Sequence, residues 1–241
     1  MCTVSFVASN GKIILTSNRD EKIIRPNAVE PKIYIVNNKN IIFPKDPKAG
    51  GTWYAVTETA NVAVLLNGAT KKHQLKSKYR KSRGLILLDI ISGNSPIETW
   101  KNIDLREIEP FTIVLFQENK LYQLRWNEVE KETINLRIEE NYIWSSSTLY
   151  PKAIREKRTK WFYEFLNSKT TISADDMIHF HRHTESENDE NGLVINRNET
   201  LKTLSITQTT IDENKINMNY FDLIQTEKFE NNFIIIKNTN L

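Results

Sequence analysis

The sequence predicts an α+β fold in which antiparallel sheets are covered by helices. Strand-like segments come in runs, and pairs of helical segments separate these runs. A parallel sheet would instead need strict alternation of strands and helices, because each parallel crossover usually carries a helix. Neither a linker nor an internal repeat divides the chain, so we expect a single domain over residues 1–241.

The N-terminal segment predicts a β-hairpin. Residues 2–8 and 12–16 are strand-like, and Asn10-Gly11 between them favours a type I′ turn. Further strands are predicted at residues 32–36, 40–43, 52–56 and 61–66. Two helices follow. The first covers residues 82–91, and the second starts at Ser95-Pro96, where Glu98 completes the pattern of a capping box.

The second half of the chain repeats this order of strands, two helices and strands. The first strands are predicted at residues 111–116, 120–126, 133–138 and 142–144, and Glu118-Asn119 forms the turn of a second hairpin. Helices are predicted at residues 151–166 and 177–183, the second capped from Ser173. The last strands are predicted at residues 200–211, 215–223 and 233–236.

Composition excludes several classes of protein. No apolar run approaches the roughly 18 residues that a membrane span needs, so we expect no integral membrane association. The N-terminal segment lacks the apolar core of a secretory leader. A single cysteine excludes a disulfide framework and a multi-cysteine metal site. These features predict a cytoplasmic protein.

The net charge is only +3, but the charges are unevenly distributed. Residues 71–83, the basic segment, contain seven Lys or Arg and no acid, and residues 185–190 contain four acids. Each segment can be a solvated loop, and the basic segment can also face an anionic ligand. We expect His73 there to be solvated. Nucleic acid is not an expected partner, because the segment has one aromatic residue, Tyr79, and no binding motif.

Cys2 is the most informative position. Removal of Met1 would leave a thiol and a free α-amine on one residue. A thiol with an ordinary pKa of about 8.5 is a competent nucleophile, and an α-amine with an ordinary pKa of about 8 can serve as its base. The alternative is that Cys2 begins the first strand as a small apolar residue.

A second group of polar residues ends the second strand of the hairpin. The hairpin would return residues 17–20 to the level of residues 1–4. Arg19 could then lower the pKa of the Cys2 thiol, and Asp20 could hold the α-amine. The alternative is a surface ion pair worth about 1 kcal/mol or less.

An N-terminal Met-Cys followed by a hairpin and the sequence TSNRDE resembles the NRDE-motif family, also called the transport and Golgi organization 2 family. Further matching segments lie in order along the chain, at residues 50–53, 64–68, 144–147 and 202–208. More distantly, the layout is similar to N-terminal-nucleophile hydrolases with a catalytic cysteine, such as penicillin V acylase and bile salt hydrolase. The resemblance implies a four-layer αββα sandwich.

The resemblance also implies roles for individual residues. Cys2 matches the nucleophile, and Arg19 and Asp20 fall in the region of the acylases' arginine and aspartate. Asn67 matches the asparagine whose amide donates to the oxyanion. The alternative for Asn67 is a turn residue that precedes Gly68.

The sequence departs from the acylase pattern in three places. The acylases separate their arginine and aspartate by two residues, whereas here the two are adjacent, so Asn18 or Glu21 can take one of the roles. Ser146 lies near the position of a second asparagine. Lys202 is a weak candidate for a late arginine. Trp53, which follows two glycines, is the tryptophan expected to line a pocket.

The HFHRH sequence at residues 179–183 raises the question of a metal site. In a helix, His179 and His183 share a face and His181 does not. A metal would need further ligands, which Asp175, Asp176 or Glu185 could supply. Histidines near a helix C-terminus are also favoured by the helix dipole. We expect neither a metal nor a cofactor.

Two functional hypotheses follow. The first is a cysteine N-terminal-nucleophile hydrolase that cleaves a C–N amide or related acyl bond of a small, anionic substrate. Cys2, Arg19, Asp20 and Asn67 would be catalytic, and Asn18, Trp53 and Ser146 would contact the substrate. The second is a non-catalytic carrier or chaperone for haem or for acyl-CoA-like and lipid-like anionic ligands. The resemblance implies this hypothesis, because members of the family have been linked to the handling of such ligands. The first hypothesis requires the removal of Met1, and the second does not.

Overall fold

The computed structural model describes residues 3–234, and the structural statements below concern these residues. Cys2 lies outside them, as does the end of the last predicted strand. Within this range the chain forms two antiparallel seven-stranded sheets and four helices. The sheets stack face to face, and a pair of helices covers each outer face, which gives the four-layer αββα sandwich.

The first sheet contains both ends of the described chain. Its strands are β1 Thr3–Ser9, β2 Lys12–Lys22, β10 Tyr142–Ser145, β11 Asn196–Arg197, β12 Leu201–Asp212, β13 Lys215–Asp222 and β14 Glu227–Ile234. Their order is β10-β1-β2-β12-β13-β14, and the short β11 pairs with β12. The last strand, β14, begins before residue 233, where the sequence analysis placed its start. The prediction missed the first part of this strand because β14 is an edge strand with few apolar residues.

The second sheet is a meander in sequence order. Its strands are β3 Val29–Val36, β4 Lys39–Lys45, β5 Tyr54–Thr57, β6 Val62–Asn67, β7 Phe111–Gln117, β8 Lys120–Trp126 and β9 Lys131–Leu136. The strands β5, β6 and β7 are buried along nearly their whole length, because this sheet is covered on both faces.

The helices are α1 Arg83–Ile91, α2 Pro96–Asn102, α3 Lys152–Asn167 and α4 Ala174–His183. Helix α1 packs on β5 and β6, whereas α3 packs on β10 and α4 packs on β2 and β12. The main core lies between the sheets, where Val4 and Phe6 of β1 join the same cluster as Ile42 of β4. A smaller core lies under α3 and α4.

The predicted type I′ turn at Asn10-Gly11 and the predicted hairpin turn at Glu118-Asn119 are both confirmed, and both have positive φ angles. Asn10 and Gly11 have φ of 51° and 73°, and Glu118 and Asn119 have φ of 50° and 55°. The predicted capping box at Ser95 is wrong. Gln117 of β7 takes its place, because its side-chain amide donates to the Ser95 hydroxyl and its carbonyl oxygen accepts from the amide of Ile97.

Candidate functional site

The register of the first hairpin fixes the position of the N-terminus. Thr3 pairs with Asn18, as predicted, so Arg19 and Asp20 extend β2 beyond the first described residue of β1. On the other side of β2, Arg19 pairs with Ser205 of β12 and Asp20 pairs with Thr203, with a β-bulge between these two partners.

Arg19 faces the second sheet and is almost fully buried. Its guanidinium carbon lies 4.2 Å from the centroid of the Trp53 ring, and its Nη2 atom lies 3.7 Å from Oδ2 of Asp46. A second carboxylate, that of Glu21, is 4.0 Å away. Burial lowers the pKa of Arg19, and the negative charge of Glu21 opposes this effect. Both ion pairs are long, so neither carboxylate binds the guanidinium tightly.

Asp20 faces the opposite side of the sheet, as adjacent residues of a strand must. The hydroxyl of Tyr150 donates to its Oδ2 atom at 2.7 Å, and the hydroxyl of Thr203 donates to its Oδ1 atom at 2.6 Å. The side chain is buried. These contacts fix the orientation of the carboxylate beside the start of β1.

Asn18 also faces the helix layer, and its side chain is fully occupied there. Its Nδ2 atom donates to the carbonyl oxygens of His181 and Leu193 at 3.0 Å and 2.7 Å. Its Oδ1 atom therefore accepts from Nδ1 of His181, and Nε2 of that ring accepts from the Ser5 hydroxyl. Burial lowers the pKa of His181 to about 3. These contacts give Asn18 a structural role.

A cavity of about 380 Å³ lies between the end of β2 and the start of α1, and we call it the main cavity because several predicted site residues line it. It brings together Arg19, Trp53 and Asn67. Arg83, the last residue of the basic segment, also lines it and forms an ion pair of 2.9 Å with Glu109, which the sequence analysis did not identify. Burial lowers the pKa of Arg83. The acids Glu21, Asp46 and Glu109 balance most of the positive charge of the main cavity.

Asn67 ends β6 and lines a second cavity as well, which has a volume of about 160 Å³. The hydroxyl of Ser146 donates to the main-chain carbonyl oxygen of Asn67 at 2.8 Å, so Ser146 holds the backbone at this point. Gly68 follows with a φ of 82°, and a Cβ atom there would come within 2.4 Å of the Ser147 hydroxyl. This turn is therefore closely packed.

Much of the basic segment is paired with acids from other parts of the chain. His73 and Arg83 both contact Glu109, and Lys76 pairs with Glu128 at 3.0 Å. The expectation that His73 is solvated is wrong, since its side chain is 11% exposed. Further pairs in this segment are Arg80 with Asp104 and Lys81 with Asp89. Lys202 pairs with the exposed Glu199 instead of entering the main cavity.

Residues 3–234 contain no group of three His, Cys, Asp or Glu side chains able to hold a metal ion. His179 and His183 lie on the outer face of α4 with ring centroids 4.8 Å apart, and His181 points inward. None of the helices in the described part of the chain is long and apolar enough to cross a membrane.

Comparisons with known proteins agree with the fold. A family model described as "Transport and Golgi organisation 2" matches residues 1–239. No curated protein matches the chain. Among solved structures, a Caenorhabditis elegans ortholog of N-acylethanolamine-hydrolyzing acid amidase is similar with a TM-score of 0.63 at 10% identity, covering 86% of this chain and 92% of that one. A mutant of conjugated bile acid hydrolase from Clostridium perfringens has a TM-score of 0.51 at 10% identity, with 100% of both chains covered.

Proposed function

Because the chain belongs to the transport and Golgi organisation 2 family and has the fold of N-terminal-nucleophile hydrolases, we propose that it is a cysteine amidohydrolase with Cys2 as its nucleophile. One observation carries the proposal. Thr3 pairs with Asn18, and the next residue of β2, Arg19, lines a cavity together with Asn67. The residue that precedes Thr3 is the only cysteine of the chain.

Alternation along β1 supports this role for Cys2. Val4 and Phe6 belong to the core between the sheets, whereas Thr3 and Ser5 contact Arg158 and His181 in the helix layer. We infer that this alternation continues by one residue, in which case Cys2 would share the side of Arg19.

The proposed reaction has two stages. The thiol of Cys2 attacks the carbonyl carbon of an amide and gives its proton to its own α-amine. The amide of Asn67 and a main-chain N–H donate to the resulting oxyanion. The α-amine then passes the proton to the leaving nitrogen, the C–N bond breaks, and a thioester remains. Water hydrolyses the thioester, releases the acid and restores the thiol.

Arg19 and Asp20 would assist the reaction of Cys2 from opposite sides of the first sheet. The positive charge of Arg19 favours the thiolate and lowers the pKa of the thiol. Asp20, oriented by Tyr150 and Thr203, would hold the α-amine. The substrate class we propose is a small acyl amide or related acyl compound with an anionic group. The names of the two similar hydrolases, which act on N-acylethanolamines and conjugated bile acids, support an acyl amide.

The first experiment is the intact mass of the purified protein, since the mechanism requires that Met1 is removed. A panel of N-acyl amino acids, short amides and acyl thioesters would then be tested with the wild type, Cys2→Ala and Cys2→Ser. We expect turnover by the wild type that is abolished in Cys2→Ala. Retention of Met1, or turnover that survives Cys2→Ala, would contradict the proposal.

The contacts of Arg19 favour a second candidate, a carrier of an amphipathic anionic ligand such as haem or an acyl-CoA. Its two ion pairs are long, at 3.7 Å and 4.0 Å, so part of its charge is available to a ligand in the main cavity. A carrier would bind such a ligand equally well with and without Cys2, and binding would weaken as salt concentration rises. Absence of turnover together with this binding behaviour would favour the carrier.

A further inference from the structure

We propose that the second cavity, which shares Asn67 with the main cavity, is a subsite for the anionic group of the ligand, a carboxylate or a phosphate. None of the described residues that line it is acidic, whereas two of them, Arg125 and Arg155, are arginines. The main cavity, in contrast, is lined by three carboxylates together with four basic side chains, so its positive charges are largely neutralised within the cavity. The arginines of the second cavity face no carboxylate among the residues that line it, which favours an anion there.

Both arginines have N–H groups that make no hydrogen bond to the described part of the protein. The Nε atoms of both Arg125 and Arg155 are buried and make no hydrogen bond within residues 3–234. Arg125 uses Nη1 to pair with Glu132 at 2.9 Å, and Arg155 uses Nη2 in a long contact of 3.4 Å with the carbonyl oxygen of Thr70. A buried N–H without an acceptor is costly, and an anion bound beside these side chains would supply acceptors for their guanidinium groups.

Most hydroxyl groups around the second cavity already donate hydrogen bonds to main-chain carbonyl oxygens of the protein. Thr112 donates to the carbonyl oxygen of Gly68, and Thr159 donates to the carbonyl oxygen of Arg155. Ser146 donates to the carbonyl oxygen of Asn67. The guanidinium groups are therefore the main donors left for a ligand, and guanidinium is well suited to carboxylate and phosphate.

The inference rests on the proposed function and extends it by naming the class of leaving group. Asn67 lines both cavities, so a carbonyl held there is adjacent to the main cavity and to the second cavity. A volume of about 160 Å³ suits a compact charged group and not a long acyl chain. The acyl part would occupy the main cavity, and the anionic amine product would leave from the second.

The test compares two ligands that differ in one group, an N-acylglycine and the N-acylethanolamine with the same acyl chain. Binding is measured by calorimetry on the Cys2→Ala protein, which cannot turn them over. Arg155→Gln and Arg125→Gln should each weaken binding of the N-acylglycine at least tenfold and leave the N-acylethanolamine nearly unchanged. Arg137→Gln, on a side chain that is 75% exposed, is the matched control and should change neither.

Inorganic phosphate and acetate, used as competitors, distinguish the two anions. Stronger competition by phosphate would assign a phosphate group, and stronger competition by acetate a carboxylate. Melting curves of every variant verify that it is folded. Equal binding of the charged and neutral ligands, or loss of binding in Arg137→Gln as large as in Arg155→Gln, would overturn the inference.

The outcomes also separate the subsite from the reaction. Binding of the N-acylglycine that depends on Arg155, without turnover by the wild type, would support the subsite and contradict the hydrolase. Turnover that depends on Cys2 but is equal for both ligands and unaffected by Arg155→Gln would support the hydrolase and contradict the subsite.

Discussion

The guanidinium carbon of Arg158 lies 3.6 Å from the centroid of the Tyr150 ring, and the hydroxyl of that tyrosine donates to Asp20. The same arginine donates to the hydroxyl of Thr3 and to the carbonyl oxygens of residues 191–192. It is completely buried in α3. One side chain of the helix layer thus supports both the start of β1 and the aromatic ring that orients Asp20.

Replacement of Arg158 by methionine should therefore destabilise the protein strongly. The substitution leaves two main-chain carbonyl oxygens and a threonine hydroxyl without their buried donor, and we expect the free energy of unfolding to fall by about 3 kcal/mol. Urea denaturation measures it. Arg182→Met, at an exposed position of α4, is the control and should cost much less. Equal losses in the two variants would contradict this role of Arg158.

Replacement of Arg19 by glutamine should raise the pKa of the Cys2 thiol, because the positive charge that the proposal places beside it favours the thiolate. The chain has one cysteine, so the rate of alkylation as a function of pH reports this thiol alone. Arg25→Gln is the matched control, since Arg25 also pairs with Asp46 and lines the main cavity. A thiol pKa that is unchanged in Arg19→Gln, or shifted as far in Arg25→Gln, would argue against the role of Arg19.

Replacement of Asn67 by alanine should lower kcat on the order of 100-fold with a smaller change in KM. An oxyanion donor acts when charge develops on the carbonyl oxygen, and so it affects the transition state more than the bound substrate. Steady-state kinetics on the best substrate of the acyl panel provide the measurement. Asn135→Ala, at an exposed position of β9, should leave both constants unchanged. A change confined to KM would show that Asn67 only binds the substrate.

The free energy of unfolding should depend on pH through His181. Its pKa is about 3 in the folded protein and near the ordinary value of about 6.5 when unfolded, because burial disfavours the imidazolium and Arg158 repels it. The unfolded chain therefore binds more protons between these values. Stability from this group is complete above pH 6.5 and is lost as pH falls toward 3, by up to about 1.4 kcal/mol per pH unit.

Urea denaturation at pH 7 and pH 5 checks this prediction. His181→Gln should reduce the dependence on pH, and His179→Gln, on the outer face of α4, should retain it. A dependence that is equally steep in His181→Gln would assign the effect to other groups.

Local signals explain what the sequence analysis predicted correctly. Asn10-Gly11 determines a two-residue turn, and that turn fixes the pairing of Thr3 with Asn18 through the alternation of the strands. The end of a buried strand before Gly68 likewise located Asn67 at the last position of β6, the central strand of the second sheet. In each case the structural determinant lies within a few residues of the feature it controls.

Contacts between distant segments explain what the analysis missed. Arg158 lies among several other basic residues of α3, and nothing in that pattern distinguishes a buried arginine from exposed ones. Asn18 finds its partner 163 residues away in His181, and Ser95 meets Gln117 only because α2 packs near the end of β7. Such side chains acquire their roles from the packing of the layers.

The bulge in β12 has a consequence for how the two adjacent charges of β2 are separated. It lies between Thr203 and Ser205, the partners of Asp20 and Arg19. A slip of β2 by one residue would exchange the two sides, so that a carboxylate would stack on Trp53 and a guanidinium would sit beneath Tyr150. The irregularity in the neighbouring strand penalises that slip, because its extra residue fits one alignment alone. The side on which each charge lies is thus held by the pairing of β2 with β12, and deletion of Leu204 would remove the bulge and with it this penalty.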